Sequence, residues 1–389
     1  MKRVSIVLAV LLVATMLLSA CAPKEKGDIL IGNLQDESGP MAALSGAVTL
    51  GATKMVDEIN AAGGINGRML KLVTYDTRGD VNEAINALKR MIEQDKVPVV
   101  LGPPVSNIGI AIAPISQELK VPIVGLFMED RCTIQENGEV WDYMFLAQNS
   151  AARQAQSIAA YALNELGIKK FAILYNSANS YSVGLAGPFE AAVLAAGGEI
   201  TAKETYVGTD KDFRAQLTKI KATEPEALYF PSYPPEIPLI LTQSYELGLD
   251  VTMLSSNSVP PTGFAPSTDP AATTKTFYPY GINAGDPELV DWAAAYSAKF
   301  DDKKPLAQSF SGADAFGIIV EAIKACGNDV TSTCIYEKLN AMDEYEGLQG
   351  TFKIAADTHQ PVGLPMAIFT IKDGSPLFLK WYTPEGEVK

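Results

Sequence analysis

Histidine is nearly missing from this chain: His359 is the only one in 389 residues. A single imidazole removes most zinc sites and most catalytic schemes that turn on a histidine base. No G-x-S-x-G elbow, G-K-[ST] phosphate loop or G-x-G-x-x-G turn occurs, so the common hydrolase, nucleotide and dinucleotide signatures are absent too. No metal, cofactor or enzymatic activity is therefore expected. Basic residues are in deficit, 31 Lys and Arg against 45 Asp and Glu, for a net charge of −14. No basic cluster reverses that sign locally, which opposes nucleic acid or an anionic lipid surface as a partner. Beyond residue 18 no stretch approaches the roughly 20 apolar residues of a membrane helix.

What the chain does have begins at its first residues. Lys2 and Arg3 precede an apolar run, Val4 to Leu18, that ends in Leu18-Ser19-Ala20-Cys21. A short positive start, a run too brief to span comfortably and a small-residue end read as a secretory signal peptide, residues 1–20. Cys21 directly after Leu-Ser-Ala also fits a bacterial lipobox. A lipid on its thiol would anchor the mature chain to the cell membrane or periplasmic face; the alternative is an ordinary signal peptide with an incidental cysteine. Residues 21–27 read as a tether, and the folded part starts near Asp28. Three cysteines remain in an exported chain that can keep disulfides. Cys326 and Cys334 flank the turn-like Gly327-Asn328-Asp329 between two helical patterns and are expected to pair, leaving Cys132 free.

About 360 mature residues exceed what one core usually serves, so two domains are expected. At 47% hydrophobic and 20% charged, the composition is that of an ordinary globular protein. Strand-like and helix-like segments alternate: strand 28–33, helix 45–61, strand 70–75, helix 81–94, strand 97–101, helix 107–119, strand 122–127. The rhythm resumes after residue 150 with similar unit lengths, up to the strand at 251–254. Such alternation predicts α/β architecture, with two doubly wound parallel-sheet lobes. Helices at 287–300, 311–325 and 331–342 follow, then short strands at 350–354, 367–371 and 377–381. Those last strands are too few for a third domain and are expected to complete the two sheets. Lobe one would comprise 28–148 plus 283–357, and lobe two 149–282 plus 358–389, joined by hinge crossovers beside a cleft.

Six stretches in order carry a family likeness. They are Ser38-Gly39-Pro40, the run Asp57 to Gly67, Tyr75-Asp76-Thr77, Thr209 to Phe213, Ala313-Asp314-Ala315 and Glu346 to Phe352. From Ile29 to about Lys372 the chain resembles the periplasmic-binding-protein type I group, specifically its leucine/isoleucine/valine-binding branch. The resemblance implies a Venus-flytrap receptor that delivers a solute to an ABC permease.

Site candidates sit where strands hand over to helices, the rule for open α/β sheets. Ser106 opens a helix and either holds a ligand carboxylate with nearby amides, as the family's serine at that point implies, or serves only as a cap. Phe127 and Glu129 follow the next strand, where the family offers backbone groups and often a hydroxyl. Glu129 either takes a ligand ammonium or lies at the surface with Asp130 and Arg131. Tyr181 and Tyr233 match family positions where an aromatic closes over the ligand. Asn257 stands where amino-acid binders carry an acid, so Glu129 would have to supply the missing charge. The expected function is capture of an amino acid or related small polar solute by a monomeric, lipid-anchored ABC substrate-binding protein. The alternative is a sensing module for amides, urea-like solutes or small aromatic acids, which would signal through a partner protein.

Overall fold

The structure is a computed structural model that describes residues 27–208, 210–259 and 268–388. The signal peptide, the lipidation candidate Cys21 and Thr209 lie outside the described residues. Strand β1 (Ile29–Gln35) is buried along almost its whole length, as a strand covered on both faces must be. It pairs in parallel with β2 (Leu70–Asp76), Ile29 opposite Leu70, and on its other edge with β3 (Val100–Leu101). With β4 (Ile123–Gly125) and β5 (Met144–Leu146) this makes an all-parallel sheet ordered β2-β1-β3-β4-β5. Helices α1 (Ala42–Ala61), α2 (Val81–Glu93) and α3 (Ser106–Leu119) connect its strands. The periodicity reading lacks β5, because a three-residue strand carries too little pattern to register.

Helix α4 (Ala151–Asn164) leads into a second unit. It runs β6 (Lys170–Asn176), α5 (Ser180–Ala195), β7 (Glu199–Tyr206), α6 (Arg214–Lys221), β8 (Ala227–Tyr229), α7 (Ile237–Glu246), β9 (Thr252–Leu254) and β10 (Thr276–Tyr280). Helices α8 (Pro287–Lys299), α9 (Ala307–Cys326) and α10 (Ser332–Asn340) come next. Strands β11 (Tyr345–Gly347), β12 (Gly350–Ile354), β13 (Pro361–Val362), β14 (Met366–Lys372), β15 (Ser375–Thr383) and β16 (Gly386–Val388) close the chain. The second sheet is mixed: β7-β6-β8-β9-β10 are parallel, and β14, β15 and β16 extend it antiparallel. Strand β12 departs from expectation. It joins neither large sheet but forms a small antiparallel one with β11 and β13. Its alternation explains this, since only Phe352 and Ile354 are buried, and they pack into the core of the first sheet.

Helices α9 and α10 cover the first sheet, with Phe316, Ile319, Ile323, Ile335 and Leu339 in the core that holds Ile31 and Val99. Helix α9 lies directly on α1. A Cβ on Gly312 would sit 2.7 Å from the Cα of Val48, so only glycine permits that approach. Cys326, at the end of α9, is bonded to Cys334 of α10 with their Cα atoms 5.9 Å apart, and Cys132 is a buried free thiol.

The chain passes between the two large sheets three times, and side chains bind the first of these passages to the last and to the turn between β11 and β12. Asp314 of α9 accepts hydrogen bonds from the amides of Leu348 (2.7 Å) and Gln349 (2.9 Å) and from Gln349 Nε2 (3.1 Å). Gln349 Nε2 also donates to the carbonyl of Ala147, on the first passage, at 3.0 Å. Asn149 donates to the carbonyl of Leu364, on the last, at 3.1 Å. Asp314 is 1% exposed, and burial pushes its carboxyl up to about 6 in spite of the three donors. The folded chain thus holds a proton that the unfolded chain, at an ordinary 3.8, has released. Stability from this group is full below that value and lost as pH rises through about 6. The stability gap between wild type and Asp314→Asn should therefore narrow from pH 4 to pH 7 in guanidinium denaturation. A gap independent of pH would contradict it.

Candidate ligand site

The carboxyl ends of the two sheets face each other, and the loops there interlock. Ser106, 2% exposed, is the first residue of α3. Its Oγ accepts the amides of Met128 and Glu129, each at 3.2 Å, which pins the loop after β4 to the start of that helix. Two acceptor positions are used, and the hydroxyl proton remains to donate. Phe127 takes a different place: its ring is fully buried in the first-sheet core with Ile108, Ile112 and Cys132. Its backbone steers the loop, and its side chain supplies packing.

Met128, next in sequence, reaches across. Its side chain lies in the second-sheet core with Ala155, Tyr181 and Leu185. Its sulfur accepts weak hydrogen bonds from Asn257 Nδ2 (3.4 Å) and Gln154 Nε2 (3.6 Å). Tyr233 bridges the other way, packed against the cores of both sheets. Its ring stacks on Tyr181 with centroids 5.2 Å apart and planes 5° from parallel. Tyr181 donates to Asn257 Oδ1 at 2.5 Å and accepts from Ser258 Oγ at 3.4 Å. Burial pushes the Tyr181 phenol up to about 12, so it stays a neutral donor. Gln154 Oε1 takes the Asn257 amide at 3.1 Å.

Glu129 is 7% exposed and caps the short helical turn Asp130–Cys132. One carboxylate oxygen accepts from Arg131 Nε at 2.9 Å and the other from the Arg131 amide at 3.1 Å. Burial raises its carboxyl above the ordinary range, and the Arg131 pairing works against that rise. Its stem presses on α5, where a Cβ on Gly184 would lie 2.6 Å from Glu129 Cγ. A further bond crosses nearby, from the Ser180 amide to Asn107 Oδ1 at 3.0 Å.

The structure thus gathers Ser106, Glu129, Tyr181, Tyr233 and Asn257 around one junction and leaves the Phe127 side chain in the core. Sequence reasoning missed Gln154, in mid-helix, where no strand–helix boundary marks it. Beside Asn257 opens a cavity of about 270 Å³ whose walls come from the β1–α1 loop, the loops after β8 and β9, β10 and the start of α9. Of the five junction residues only Asn257 lines this cavity, whose amides, hydroxyls and apolar walls can orient a small solute.

Interleaved α/β units on two sheets with polar loops meeting between them define a two-lobed solute receptor fold. The chain belongs to the periplasmic binding protein family, whose signature it matches over residues 28–376. A Leu/Ile/Val-binding protein of Rhizobium johnstonii is 31% identical over 266 residues, 68% of this chain and 71% of that one. Among solved structures, the branched-chain amino acid transporter substrate binding protein of Streptococcus pneumoniae, in complex with isoleucine, superposes with a TM-score of 0.79. It is 27% identical, and the match covers 90% of this chain and 100% of that one. A solute binding protein of Rhodopseudomonas palustris in complex with 3,4-dihydroxy benzoic acid shares the fold, with a TM-score of 0.77 at 20% identity and coverage of 93% and 98%.

The contact across the junction gives a direct check. Gly184→Ala should overpack Glu129 and lower the unfolding free energy by about 1–3 kcal/mol in urea denaturation. An unchanged midpoint would mean that Glu129 does not press on that helix.

Proposed function

We propose that the chain is an exported, lipid-anchored solute-binding protein of an ABC importer that holds an amino acid or related small polar solute between its two lobes. The observation that carries this reading is the buried junction at which Ser106, Glu129, Tyr181, Tyr233 and Asn257 converge from both sheets. The lobes of this reading are residues 28–148 plus 283–357 and 149–282 plus 358–389. Ser106, with its hydroxyl proton uncommitted, donates to the ligand carboxylate. Glu129 is the one carboxylate among these five, and, shared with its partner Arg131, it provides the negative charge for an ammonium in place of the acid absent at Asn257. Tyr181 and Tyr233 supply apolar area and one hydroxyl each. The solute stabilises the arrangement in which the sheets touch, and permease subunits recognise that arrangement. No bond is made or broken; the protein acts as a monomer tethered through Cys21. The isoleucine held by the pneumococcal relative supports an amino-acid ligand here.

A thermal-shift screen of the mature protein against the twenty amino acids, simple amides, urea and benzoate tests the reading. A solute at 100 times its Kd adds about 2.7 kcal/mol of stability and should raise the melting midpoint by several degrees. A shift with amides, urea or benzoate alone would replace the amino acid with that solute as the ligand. No shift with any of them would overturn the proposal.

A further inference from the structure

The cavity beside Asn257 is walled mostly by carbon, from Pro40, Met41, Leu44, Pro234, Val259 and Leu306. No charged side chain is among its described lining residues. The side chains of Asn257 and Ser258 are already engaged. Asn257 Oδ1 accepts from Tyr181, Asn257 Nδ2 donates to the Met128 sulfur, and Ser258 donates to Tyr181. Gln308 is the exception. It stands in the first turn of α9 and faces the cavity, and its amide oxygen is buried with no hydrogen-bond partner.

We propose that this cavity receives the far end of the solute and that Gln308 reads a neutral hydrogen-bonding group there. The inference rests on the function proposed above and adds a preference to it: a small apolar body ending in a hydroxyl or amide is favoured over its all-carbon counterpart. The physical reason lies in the cost of an unmade bond. A buried carbonyl left unpaired by an aliphatic solute is stripped of water and gains nothing in return. A site built to hydrogen-bond a polar group rejects the isostere that lacks it far more strongly than an apolar pocket rejects an added hydroxyl. A solute hydroxyl suits the site in either amide orientation, because it can both donate and accept. A charged end would meet no counter-ion among the described lining residues and is disfavoured. The small volume, about 270 Å³, keeps the solute to metabolite size.

Isosteric probe pairs test this. Calorimetry on the mature protein with threonine against valine, and asparagine against leucine, should show the polar member of each pair binding at least about tenfold more tightly. Gln308→Met, which removes the amide at similar volume, should bring both ratios to near one or reverse them. Wild-type ratios favouring valine and leucine, or ratios unchanged by Gln308→Met, would overturn the inference and leave the amino-acid reading standing. Absence of binding by all four to the wild type would instead defeat that reading, and this inference with it. The wild-type ratios need no variant, so they decide even if Gln308→Met fails to fold.

Discussion

Everything in this molecule is arranged about the place where the chain passes between its sheets. Three passages run there; Asn149 binds the first to the last, and Gln349, held in turn by Asp314, binds the first to the turn between β11 and β12. The bond between the first and last passages limits how the sheets can move relative to each other. A buried carboxylate that accepts three hydrogen bonds is costly to desolvate and costly to leave unpaired, so it specifies one geometry. The fold therefore fixes the pivot with polar bonds and leaves the facing loops to meet.

Those loops meet through small polar contacts and shared packing. Met128, carried by the first sheet, sits in the core of the second, while Tyr233, carried by the second, packs on both. Glu129 fits against Gly184 only because that residue has no side chain. A solute that bridges Ser106, Glu129 and Asn257 needs to add only a few kcal/mol to hold that contact.

Much of the architecture was legible in the sequence because buried parallel strands are near-continuous apolar runs separated by amphipathic helices. The alternation placed β1 to β4 and β6 to β9 within a few residues. It could not show β5, which is three residues long, or the independence of β12, which depends on what Phe352 and Ile354 pack against. At the candidate site, strand–helix boundaries pointed to Ser106, Tyr181 and Tyr233, because backbone donors are exposed there. The same rule drew in Phe127, whose ring belongs to the core, since a boundary says nothing of side-chain direction. Gln154 and Gln308 carry no local signal. Only the packing of whole helices decides which of their faces turns inward. The pairing of Glu129 with Arg131 was equally hidden, although the two are neighbours, because charge spacing does not fix a rotamer.

The central claim is that a solute holds the two lobes against each other. Small-angle X-ray scattering of the mature protein, with and without a solute that stabilises it thermally, tests this most directly. The account predicts a smaller radius of gyration with solute, and a scattering profile that matches the arrangement in which Met128 reaches Asn257. A bound solute that leaves the profile unchanged and different from that arrangement would contradict it.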